Sequence, residues 1–192
     1  MKYILDVHTH TIASGHAYNT MREMAKAASE KGLELLGITE HSMSMPGTCQ
    51  LFYFENLKMV EREMYGVELL LGAELNIMDY RGRVDMEEKT LKTMDITIAS
   101  MHIPCIKPGT REENTNAYLE VMKNPYINII GHPDDARYEV DYLALVQGAR
   151  EHGLLLEVNN NSLDPRCTRV GGEENIRTML KYCQEYQVPV VV

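Results

Sequence analysis

Seven short apolar runs recur along the chain: "YILDV", "LELLGIT", "VELLLGAE", "DITIAS", "INIIG", "LLLEVN" and "VPVVV". Most are continuously apolar rather than alternating, the pattern of strands covered on both faces in a parallel sheet. Helical patterns lie between them. The first runs from about Thr20 to Lys31, with Thr20 and Glu23 placed as a capping box and Gly32 as the stop. The others are "CQLFYFENLKMVEREMYG", "REENTNAYLEVMKN" ending against Pro125, "EVDYLALVQGAREHG" ending at Gly153, and "GGEENIRTMLKYCQEYQ". "MDYRGRVD" around Gly82 reads as a small hairpin. Strand–helix units joined by short loops predict a parallel α/β fold, either open and doubly wound or closed as a barrel. No repeat, linker or low-complexity tract interrupts the pattern, so residues 1–192 read as a single domain.

Charge and cysteines narrow the function classes. Nineteen basic against twenty-eight acidic residues leave a net charge of −9, a surface that repels phosphate backbones. Nucleic-acid binding is therefore not expected without a local basic groove, whereas a cleft lined by carboxylates and imidazoles attracts cations. The four cysteines, Cys49, Cys105, Cys167 and Cys183, form no C-x-x-C pair, which argues against a zinc ribbon and a disulfide framework and suits a reducing compartment. No run approaches the ~18 apolar residues of a membrane span. "MKYILDVH" enters an ordinary strand, and cytoplasmic residence is the expectation.

The polar residues that follow each strand choose the chemistry. After the first come Asp6, His8 and His10, with His16 in the loop; after the second, Glu40 and His41. The third ends in Glu74, the fourth in His102, the fifth in His132, and the sixth in Glu157 and Asn159. Six of the seven histidines thus fall at or just beyond a strand's carboxyl end, the face that carries active sites in parallel α/β folds. Only His152, in "REHG", does not; it reads as a helix-end cation. Any one histidine alone is more often a hydrogen-bonded turn residue than a ligand; recurrence at one topological position is what points to metal. Imidazole with carboxylate is the donor set for zinc, manganese or iron. In H-x-H the two rings reach one ion only if the strand bends at its exit. So many donors exceed what one tetrahedral ion needs, so two or three ions with a bridging carboxylate are expected. Clustered metals activate water and clamp both oxygens of a phosphoryl transfer. Glu40 and Asp6 lie near enough in sequence to orient these imidazoles from behind.

Through "DVHTH", "TEHS", "GAELN", "SMH" and "GHP", in that order, the chain resembles the PHP (polymerase and histidinol phosphatase) family. "SGHAYNT", "NTNAY" and "EVNNNS" bring it nearest to the stand-alone YcdX-type phosphatase branch, and the resemblance covers essentially the whole chain. It implies a distorted seven-stranded (β/α) TIM-like barrel with a trinuclear metal centre, zinc first among the candidates. By the same resemblance, His8, His10 and Glu74 would hold one ion, and Glu74 would bridge to a second held with His102 and His132, which puts Glu74, His102 and His132 at the catalytic centre. His16 and His41 would belong to the third. The family completes its centre with an Asp-x-His motif just after the seventh strand, and here the sequence stops at "VPVVV". The expectation is a fragment of a longer protein, or else a natural short form, with weakened metal loading and poor activity. Metal analysis and turnover beside a form extended through that motif would test it.

The activity this implies is hydrolysis of a small phosphate monoester by a metal-activated water. Arg169 in "RVGGEEN", just before a helix N-terminus, is the first candidate phosphate contact, with Arg137 in "DDARYEV" and Lys107 in "CIKPG" lesser ones. Each taken alone is more often a solvated surface charge. Met59 and Met64 read as core packing. No nucleophile, Walker or G-x-G-x-x-G motif appears, which disfavours covalent catalysis. The alternatives are a PHP nuclease or polymerase-associated module, a histidinol-phosphate phosphatase, and a metal-binding regulatory domain without turnover.

Overall fold

The computed structural model describes residues 4–192, and its described chain forms two compact units. The first runs to Asn76 and resumes over Asp85–Ile98; the second comprises Ile77–Val84 and Ala99–Val192.

In the first unit, strand β1 (Leu5–Thr9) is followed by helix α1 (Met21–Glu30), whose Thr20–Glu23 capping box forms as the sequence predicts. Tyr3, the first residue of the expected opening strand, lies outside the described residues. Strand β2 (Leu35–His41), helix α2 (Leu51–Asn56), the short β3 (Glu63–Met64) and β4 (Val67–Asn76) come next. A single helical turn, α3 (Glu88–Leu91), leads into β5 (Ile96–Ser100). The order is β1–β2–β4–β5, with β3 paired antiparallel to β4. β1 and β2, and β2 and β4, are parallel. Every residue of β2 from Leu36 to His41 is buried, as are Leu71–Asn76 of β4, so the strands are apolar up to their carboxyl ends, where the buried residues turn polar at Glu40, His41, Glu74 and Asn76.

The long helix expected over "CQLFYFENLKMVEREMYG" stops at Asn56. A 3-10 turn follows, and Glu63–Met64 folds back on β4 through Tyr65 and Gly66, both at positive φ (55° and 74°). Two left-handed residues in succession make the tight turn that matches strand twist. Arg62 holds the exit, donating to the Leu57 and Val60 carbonyls at 2.8 Å and pairing with Asp95 at 2.6 Å. Met59 is 77% exposed, so it is not the core residue the sequence suggested.

The second unit begins with the expected hairpin: Ile77 bridges Val84, and Met78 N donates to Arg83 O at 2.8 Å. Helix α4 (Arg111–Val121) carries a Thr110–Glu113 capping box. Strand β6 (Ile129–Ile130), helix α5 (Tyr142–His152), strand β7 (Leu155–Glu157), helix α6 (Gly172–Tyr186) and strand β8 (Val190–Val191) follow. β6–β7–β8 pair in parallel, and Gly131 N donates to Ala99 O at 3.0 Å. Leu145, Val146 and Ala149 of α5 and Met179 of α6 are fully buried in this unit's core. Among the described residues, no helix is long and apolar enough to cross a membrane.

Candidate metal centre

The parallel register of the first unit sets His41 directly beside Glu74. Partners in adjacent strands point to the same face, and His41 Nδ1 lies 2.7 Å from Glu74 Oε2. His8 Nε2 and His10 Nε2 each stand 3.3 Å from that same oxygen. An extended H-x-H would send its rings to opposite faces. Here the β1–β2 register shifts between Asp6 and Thr9, and this irregularity at the strand exit lets both rings turn to Glu74.

His16 arrives from the following turn. Gly15 has φ 75°, and a Cβ there would lie 2.1 Å from the Gly47 carbonyl oxygen, so glycine alone fits. The turn sets the His16 ring centroid 5.1 Å from His10 and 4.7 Å from His41. Ring nitrogens of His10, His16 and His41 lie within 4.8 Å of one another, as do donor atoms of His8, His10 and Glu74.

The donor chemistry tests whether a divalent ion fits. Burial drives the His10 pKa below its ordinary value, against the raising effect of Glu74, and burial also lowers that of His16. Near pH 7 these imidazoles are neutral, and a neutral ring presents a lone pair at one nitrogen. Several nitrogens around one carboxylate oxygen that is almost wholly buried is a set that a shared cation satisfies. The residues fit.

Asp85, which the sequence reading missed, braces this cluster. It accepts from Ser42 Oγ at 2.5 Å, Ser44 N at 2.8 Å, Asn76 N at 3.0 Å and Asn76 Nδ2 at 2.8 Å. It thereby ties together the residues just past His41 and Glu74. Asp85→Ala is expected to cost about 2 kcal/mol of stability through stranded donors. Metal affinity is expected to fall roughly tenfold through loosened ligands. Urea unfolding and metal titration check the two effects.

In the second unit, His102 follows β5 and His132 follows β6, with ring centroids 5.2 Å apart. His132 takes φ 27°, strained for a non-glycine residue. Its N–H donates to buried Glu157 Oε2 at 2.6 Å, and Asn159 Nδ2 donates to Oε1 at 3.0 Å. Asp134 is fully buried, which raises its carboxyl pKa against the opposing influence of Ser162 and Arg169.

Of the expected phosphate contacts, Arg169 is positioned by Asn159 Oδ1 at 3.0 Å and Ser162 Oγ at 3.2 Å. Arg137 is gripped by Asp135, with Nε at 2.9 Å and a terminal nitrogen at 2.6 Å from Oδ2. Lys107 is exposed, as is His152 at the end of α5. Burial raises the Asp135 carboxyl pKa, but the Arg137 guanidinium and N–H outweigh it and the group titrates below its ordinary value. Its stabilisation is therefore present above the ordinary carboxylate pKa and lost as pH falls through the lowered one. The urea midpoints of wild type and Asp135→Asn are expected to differ at neutral pH and to converge in acid.

A family model described as the PHP domain matches residues 6–161. A protein of Clostridium novyi (strain NT) called a probable phosphatase is 48% identical over 192 residues, spanning all of this chain and 78% of its own length. A probable phosphatase of Acetivibrio thermocellus is 44% identical over 191 residues, with the same coverage. Among solved structures, histidinol phosphate phosphatase from Lactococcus lactis, complexed with zinc, L-histidinol and phosphate, gives a TM-score of 0.64 at 18% identity. That match covers 97% of this chain and 84% of the other. A structure of archaeal ribonuclease P with mature tRNA gives 0.57 at 18% identity, over 97% of this chain and 71% of that one. At such identity these likenesses show the fold, and the α/β, TIM-like fold class expected from the sequence is borne out.

Proposed function

This chain belongs to the PHP domain family, and from that premise we propose that it is a metal-dependent phosphatase hydrolysing a small phosphate monoester. The observation that carries the reading is the meeting of His8, His10 and His41 ring nitrogens at one buried oxygen of Glu74. His8, His10 and Glu74 would hold one ion, and His16 and His41 belong to the same neighbourhood. His102 and His132 form the second unit's donor set. Zinc suits imidazole with carboxylate best, with manganese or iron as alternatives. A bound divalent ion would supply activation of water and charge stabilisation on the phosphoryl group.

The chain's own residues do the rest. Desolvation keeps His10 and His16 neutral and so competent as donors. Glu74 contributes the negative charge that an ion needs in a buried place. Glu157 fixes the backbone from which His132 projects. Arg169, held by Asn159 and Ser162, is the cation for phosphate oxygens. The named relatives are probable phosphatases, and the zinc and phosphate of the Lactococcus lactis enzyme agree in kind. The net charge of −9 disfavours a nucleic-acid substrate, and we place the protein in the cytoplasm.

The test is hydrolysis of an aryl phosphate after metal removal and after adding zinc or manganese. Restored turnover supports the reading, and none with either metal, despite tight binding, leaves a metal-binding regulatory domain. Single-stranded DNA in the same assay exposes a nuclease. L-histidinol phosphate separates a dedicated histidinol phosphatase from a general monoesterase.

A further inference from the structure

Behind the His10 ring lies a second carboxylate. Glu40 is wholly buried and accepts from the Thr11 N–H at 3.1 Å, the Thr11 hydroxyl, and the Ser14 hydroxyl at 2.5 Å. Tyr53 Oη stands 3.5 Å away. Ser14, also wholly buried, is the junction: its Oγ accepts from His41 N–H at 3.0 Å and lies 3.1 Å from His10 Nδ1.

A hydroxyl has one proton and two lone pairs. Here the proton goes to the Glu40 carboxylate and one lone pair takes the His41 N–H. The remaining contact, with His10 Nδ1, must then be one in which the ring donates. From this count we propose that Ser14, polarised by Glu40, is a positioning residue that locks His10 as the Nδ1–H tautomer. The lone pair then sits on Nε2, the nitrogen 3.3 Å from Glu74 Oε2. A lone pair facing a carboxylate oxygen is repelled unless a cation lies between them, so the lock prepares the ring for metal before metal arrives. His41 is bound into the same junction through its backbone, which couples the two imidazoles. The inference rests on His10 being a ligand.

Imidazole 15N spectra of the metal-free protein read the tautomer directly, and metal titration reads the affinity. Wild type is expected to show His10 protonated at Nδ1. Ser14→Ala is expected to release the ring to a tautomer mixture and to weaken zinc binding roughly 10–100-fold. Glu40→Gln offers an amide donor to Ser14, freeing the hydroxyl proton for His10, and is expected to drive the ring towards Nε2–H. Glu40→Gln also keeps the test open should Ser14→Ala fail to fold. A wild-type His10 protonated at Nε2, or a tautomer that neither variant alters, overturns the proposal. Wild type that binds no zinc at all refutes instead the metal-centre reading.

Discussion

Glu74→Gln is expected to strip metal from the first unit's cluster and to lower kcat/KM for a phosphate ester by at least ~10²-fold. The substitution keeps the shape of the side chain and removes one charge. At an effective dielectric near 20, a unit charge about 4 Å from another is worth about 4 kcal/mol, roughly 10³-fold in a dissociation constant. The effect doubles for a divalent ion before the desolvation of the carboxylate offsets part of it. The metal-free protein should behave in the opposite sense. Glu74 is 1% exposed, and relieving a buried charge leaves the metal-free melting temperature unchanged or raised. Metal content, turnover and metal-free melting measured together distinguish a ligand from a structural residue. Wild-type metal content and turnover in the variant would remove Glu74 from the centre.

Gly72→Ala is expected to be the most damaging single methyl group in the first unit. A Cβ built there lies 1.7 Å from the Ile96 carbonyl oxygen, a backbone atom that cannot rotate away. At this point β4 and β5 are joined by Asp95 N donating to Leu71 O and by Leu71 N donating to the Asp95 carboxylate, both at 2.9 Å. Accommodating the methyl forces the strands apart and loosens those bonds. Overpacking of this kind costs about 3 kcal/mol or more, which for a chain of this length lowers Tm by roughly 6–12 °C. Glu74 lies two residues further along β4, so metal affinity should fall with stability. Gly66→Ala is the control: its φ is 74° with nothing within 4 Å of a Cβ, so only the backbone penalty of about 1–2 kcal/mol applies. Equal melting of the two variants would show that the β4–β5 approach is softer than its geometry implies.

The elements themselves were legible because their signals are local. The capping box at Thr20, the stop at Gly153 and the largely apolar runs of β2 and β4 each depend on a few neighbouring residues. The helix drawn through Met59 and Met64 failed for the complementary reason. Pairing of Glu63–Met64 with β4 replaced the second half of the helical pattern, beyond the buried Phe54 and Leu57, and left Met59 in solvent. Arg137 is held by Asp135 through Nε and one terminal nitrogen, a pairing of near neighbours that residue types alone do not announce.

By itself the sequence determined the α/β fold class, the family and the run of imidazoles and carboxylates that follows the strands, since residue spacing and strand–helix alternation are written along the chain. Tertiary structure alone decided the rest. The register shift that turns both rings of His8 and His10 to Glu74, the approach of Ser14 to Glu40, and the closing of Asp85 on Ser42 and Asn76 all join residues distant in sequence or re-aim them by one position. Such meetings depend on strand register and turn geometry, and these emerge only when the whole sheet settles into a single packing.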